Sequence, residues 1–68
     1  MTLKTALEQG AAILEKARIG VPRLTAEVLL GHAMHRDRAY LFAHATDELT
    51  ELGWIHYGRY LNERLKGK

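Results

Sequence analysis

The segment Pro22-Arg23-Leu24-Thr25-Ala26-Glu27-Val28-Leu29-Leu30-Gly31-His32, running on into Ala33-Met34, constrains this chain most. At helical spacing, Ala26, Leu29, Leu30, Ala33 and Met34 fall on one face, while Leu24 and Val28 make another with Gly31 beside them. A helix apolar on two sides needs neighbours on both, so the rest of a short chain has to be wrapped around it. Pro22 suits its first position, where the missing N–H has no intrahelical partner.

Three companions can be read around this rod. Ahead of it, Thr2 is placed to cap a helix whose Leu3, Ala6, Leu7, Gly10, Ile13, Leu14 and Ala17 share one side. Gly20, before Val21-Pro22, is expected to close that helix in a left-handed conformation. Gly10 inside it lowers helix propensity, and close approach of a neighbouring helix is the expected reason. After the rod, Asp37 caps a short helix to about Ala43, with Tyr40, Leu41 and Phe42 as its bulk. Ala45 to Leu49 is a polar connection. Thr50 then caps the last helix, Glu51 suits its first turn, and Trp54, Tyr57, Gly58, Leu61 and Leu65 form its inner stripe with Arg64 at the edge. Lys66 and Lys68 put favourable charge at its end. No alternating strand pattern is present. The expected fold is all-α: a single domain over residues 1–68, a small bundle of four helices, one of them short, around a central buried second helix.

Composition removes several function classes. Sixty-eight residues allow one small, marginally stable domain. With no cysteine, neither a disulfide nor a thiolate metal site can form, which suits a cytoplasmic location. No apolar run approaches the ~20 residues of a membrane span. A formal charge of +2 argues only weakly for nucleic acid.

No constellation of residues makes a reaction site, so no catalytic, cofactor-binding or metal-ligating residue is assigned. There is no Gly-rich strand-to-helix turn for a nucleotide or adenosyl cofactor. His32 and His35 share a helix face and His44 is near in sequence, but a metal needs a third ligand of compatible geometry. Asp47 and Glu48 read as a solvated turn. Trp54, Tyr57 and Tyr60 resemble a base-stacking ladder only superficially, since Trp54 and Tyr57 fall on the core stripe. Glu27 borders the apolar faces and needs a partner if buried, either Arg23 one turn earlier or Arg64 from the last helix. Arg23, Arg36 and Arg38 carry the most functional content. Guanidinium forks at a tight turn suit an acidic protein surface or a phosphate backbone, against the plainer reading of a solvated turn partly neutralised by Asp37.

The order Pro22 to His32, then Arg36-Asp37-Arg38, then Leu41-Phe42-Ala43-His44, resembles almost register for register the N-terminal helical domain of the bacterial release-factor glutamine methyltransferases (the HemK/PrmC family). The likeness resumes from Leu49-Thr50 through Arg64, Gly67 and Lys68. Four positions depart from the family pattern. Val21 replaces a small polar cap, so the second helix should start less crisply, and Thr25 stands where Asp is usual. His35 takes the place of a closing glycine, and is expected either to be strained there or to end the helix differently. Ala45 stands where Pro is common, which should loosen the connection.

The resemblance implies a parent enzyme whose other domain is a Rossmann-like methyltransferase using S-adenosylmethionine, with an Asn-Pro-Pro-Tyr motif for the substrate glutamine. These 68 residues hold none of that machinery, so the chain alone is expected to catalyse nothing. The implied partners are a class I peptide chain release factor and the methyltransferase domain of the full-length protein, and a monomer is expected. The alternative is a helix-turn-helix-like DNA-binding domain. Turn chemistry disfavours it, because Ala26 and Gly31 are five apart rather than four and the would-be recognition helix brings Tyr40, Leu41 and Phe42. A self-associating helical module is a third reading, separated by concentration-dependent mass.

Overall fold

The helical spacing closes into four helices in a computed structural model that describes residues 1–67: α1 (Leu3–Lys16), α2 (Pro22–Met34), α3 (Arg38–Ala43) and α4 (Glu51–Leu65). Lys68, expected to add charge beyond the last helix, lies outside the described residues. The expected side chains cap three of the helices: Thr2 Oγ1 accepts from Thr5 N–H, Asp37 Oδ1 from Tyr40 N–H and Thr50 Oγ1 from Gly53 N–H. Each removes one of the unpaired donors that a helix start leaves.

The start of α1 is tied down further than its own cap requires. Leu3 N–H donates to the Asp47 carbonyl at 3.0 Å and Lys4 N–H to the Ala45 carbonyl at 2.9 Å, while Leu49 N–H donates to the Met1 carbonyl at 2.8 Å. The connection from α3 to α4 is therefore not loosened by Ala45. Its carbonyls point at the positive end of α1, where they satisfy orphan N–H groups.

Helix α1 closes at Arg18, with φ of 60°, and not at Gly20. Arg18 N–H donates to the Glu15 carbonyl and Ile19 N–H to the Leu14 carbonyl, both at 3.0 Å, the paired bonds of a Schellman motif. Closing there turns Ile19 back onto the core beside Leu14; closing at Gly20 would carry Ile19 past it. Helix α2 ends the same way. His35 takes φ of 57°, its N–H donates to the His32 carbonyl, and Arg36 N–H donates to the Gly31 carbonyl at 2.9 Å. Of the two outcomes expected at His35, the strained one holds. Val21 at the start of α2 is also left-handed and makes no side-chain cap, in line with the less crisp start.

The core comprises Leu3, Ala6, Leu7 and Leu14 of α1; Ala26, Leu30 and Ala33 of α2; Leu41 of α3; and Leu49, Tyr57 and Leu61. Helix α2 packs against each of the other three, so it is the hub. Its second apolar face stays open, however, with Leu24 and Val28 exposed. The six residues of α3 meet α2 through Arg38 on Glu27 and bury only Leu41, too little to cover that stripe. Phe42 is exposed as well: its neighbour Leu41 takes the buried position and Tyr40 packs partly against the core, which turns Phe42 outward.

Two inner stripes also differ from the spacing read from sequence. Ile13 and Ala17 lie outside the buried set of α1. In α4 the buried line is Gly53, Tyr57 and Leu61, continued back to Leu49, while Trp54 and Leu65 are exposed. The ring of Tyr57 sets that rotation. Fully buried, it reaches α1, where its hydroxyl donates to the Ala6 carbonyl at 3.1 Å. A methyl at Gly10 would overlap the phenol oxygen, so the helix approach expected at Gly10 is that of α4 through this ring.

Candidate interaction surface

Glu27 organises the polar side of α2. Helical rotation puts it at the edge of the buried face, and only 4% of its surface is exposed. A carboxylate so placed must be paired and hydrogen-bonded. Arg23, one turn earlier, donates Nε–H to Oε2 at 3.2 Å, and Arg38, the first residue of α3, donates Nε–H to Oε1 at 2.9 Å. Arg23 is a partner, as expected; Arg64, the other candidate, is exposed in the last turn of α4, and Arg38 takes that role. The signal for Arg38 lay in Gly31. A Cβ there would come within 2.7 Å of the Arg36 carbonyl, so its absence lets the chain fold back tightly and bring Arg38 over Glu27.

The three arginines singled out in the sequence therefore divide two and one. Arg23 and Arg38 share a carboxylate, with about half of each side chain still exposed. Arg36 instead lies 4.7 Å above the Tyr40 ring centroid, and Tyr40 stacks on His44 at 4.0 Å. His44 Nδ1 is 2.7 Å from Asp47 Oδ2, which closes a chain of stacked and hydrogen-bonded groups along α3. The Arg38 guanidinium lies 5.8 Å from the Phe42 ring centroid.

Two adjoining depressions meet at Glu27 and Arg38. One, of about 370 Å³, is walled by Val21, Pro22, Arg23 and Leu24; the other, of about 460 Å³, by Val28, His32, Arg36 and Asp37. Together they make a groove along the outer face of α2, apolar along its length and basic at its middle and far end. Leu24 and Val28 lie one turn apart on that face, Val21 stands at the turn into α2, and all three are exposed.

The remaining candidates are scattered. His32 faces Tyr60 at 6.4 Å between ring centroids, and among the described residues no group of three His, Asp or Glu side chains is gathered to hold a metal ion. Every buried side-chain nitrogen and oxygen among the described residues has a hydrogen-bond partner. Tyr57 has its pKa pushed up to about 12 by burial, with the Arg23 charge pulling the other way. Trp54, Tyr57 and Tyr60 form no ladder: Tyr57 is in the core, Tyr60 is half-buried against it and Trp54 is exposed. The six residues of α3 span about 9 Å, short for a helix that reads a DNA groove, and its Leu41 is buried.

Fold and groove together define a small all-α bundle domain with one basic, partly apolar face. Among the described residues no helix is long and apolar enough to cross a membrane. The chain belongs to the PrmC N-terminal domain family, whose model matches residues 5–68. It is 40% identical over its whole 68 residues to the release factor glutamine methyltransferase of Koribacter versatilis (strain Ellin345) and covers 24% of that protein, about a quarter of its length. No solved structure matches it.

Proposed function

We propose that this chain is the substrate-docking domain of a release factor glutamine methyltransferase: it holds a class I peptide chain release factor so that a separate, S-adenosylmethionine-dependent domain can methylate the substrate glutamine. The observation that carries the reading is the match to the PrmC N-terminal domain across nearly the whole chain. Docking of this kind uses contacts remote from the reacting atoms to orient them, and a rigid helical module is suited to the task. Arg23, Arg36 and Arg38 are the residues proposed to meet the partner, in a monomeric domain working in the cytoplasm.

The chain by itself is proposed to bind without catalysing, and weakly, because half of a two-domain grip is missing. Titration with a class I release factor and, at matched salt, with duplex DNA tests this. Saturable binding to the release factor and none to DNA is the expected result. Tight DNA binding with a steep salt dependence would replace the reading with a DNA-binding one.

A further inference from the structure

We propose that the groove along the outer face of α2 takes an acidic, partly apolar protein segment, one carboxylate of which lands on the paired guanidinium groups of Arg23 and Arg38. This rests on the release-factor docking reading and specifies where on the chain, and by what chemistry, the partner is held.

The arginine pair is built for a second carboxylate. Glu27 occupies one donor of each through Nε, and an arginine carries five donors. The buried carboxylate holds both groups in position, and their half-exposed remainder faces the groove. Arg23, Arg36 and Arg38 outnumber the two acids of the groove, Glu27 and Asp37, and so leave it net positive. Arg36 adds a third positive charge at the far end. An acidic residue on the partner therefore meets an electrostatic complement fixed before binding.

The flanks decide which class of macromolecule fits. Leu24 and Val28 are four apart on α2 and Val21 stands at the turn into it. These exposed aliphatic groups wall the two depressions, a surface that receives an apolar-faced segment laid along a helix. A sugar-phosphate backbone laid along the same line would meet the arginines but leave these aliphatic groups without apolar partners. Val21 points the same way. It is β-branched, sits at φ of 45° and is 67% exposed, so it carries backbone strain while packing little inside the domain.

Binding of a class I release factor should be compared between the wild-type chain and three variants, with thermal melts confirming that each is folded. Val28→Asp sets a like charge against the partner's acid and should weaken binding by about tenfold or more. Val21→Gly should raise Tm and yet weaken binding by about threefold, a pair of opposite signs that a purely structural role would not produce. Ile55→Asp, exposed on α4 and outside the groove, should leave affinity unchanged. Wild-type affinity in Val28→Asp with loss in Ile55→Asp would overturn this groove while leaving release-factor docking intact. Absence of wild-type binding at about 1 mM in low salt would overturn both. Displacement of the release factor by duplex DNA would assign the groove to a phosphate backbone, and overturn the proposal also.

Discussion

Tyr57 and Gly10 show how much a single side chain decides in a domain this small. The ring fills the space that Gly10 leaves open, and its hydroxyl reaches the Ala6 carbonyl. Gly10→Ala gains up to ~1 kcal/mol of helix propensity but overpacks the core by about 1–3 kcal/mol, so a net fall in Tm is expected. Burial raises the folded-state pKa of Tyr57 from 10.0 to about 12. A raised folded pKa means that the neutral phenol is the form the fold favours. Its contribution is therefore whole below pH 10 and is lost as pH climbs through about 12. The loss is on the order of 2–3 kcal/mol at most, and denaturant titrations between these pH values should show it in the wild type and not in Tyr57→Phe.

At the same scale, Glu27 was recognisable as a carboxylate in need of a partner, because an acid at the border of an apolar face has few alternatives. Which arginine would answer was legible only in part. Arg23 is local, one turn away on the same helix, whereas Arg38 arrives through a chain reversal whose tightness depends on the missing Cβ of Gly31. Glu27→Gln should destabilise the domain by about 1–3 kcal/mol, reduced from the fully buried case because both arginines are half-exposed. Arg64→Ala should stay within about 0.5 kcal/mol, since its side chain is exposed in the last turn of α4. Equal effects of the two substitutions in chemical denaturation would contradict the observed pairing.

At the scale of the element, three helix starts and the end of α3 were readable, and the close of α1 was not. Thr2, Asp37 and Thr50 cap as their positions suggest because an N-cap is decided within four residues. The left-handed closing residue is chosen by tertiary packing: α1 stops at Arg18 so that Ile19 can return to Leu14, although Gly20 is the cheaper residue for the conformation. Helix α2 likewise ends through His35 at positive φ. Removing the Cβ there relieves part of the strain, so His35→Gly should stabilise the domain by roughly 1 kcal/mol, raising Tm by several degrees in a chain of this size. A lower Tm would show that the imidazole makes a contribution the backbone geometry does not reveal.

For the whole molecule, the all-α class and the number of helices follow from periodicity and capping, both of them local. The extent of burial does not, because it depends on how long each neighbour turns out to be. Helix α2 touches all three companions, yet α3 is too short to cover Leu24 and Val28, and the face expected to be core is left as the wall of a groove. The basic cluster was visible in sequence as Arg23, Arg36 and Arg38, but not its division into a pair on Glu27 and a single arginine on Tyr40. The polar loop from Ala45 to Leu49 gave no hint that its carbonyls hold the start of α1, a contact between segments more than forty residues apart.

The uncovered face of α2 is proposed as the working surface of the domain. Titrating the isotopically labelled chain with a class I release factor and mapping backbone amide shifts tests that most directly. The predicted result is a set of shifted or broadened amides confined to Val21–His32 and Arg36–Phe42, with Leu52 and Ile55 on the exposed side of α4 unmoved. Shifts centred on α4, with the amides around Leu24 and Val28 unchanged, would contradict it.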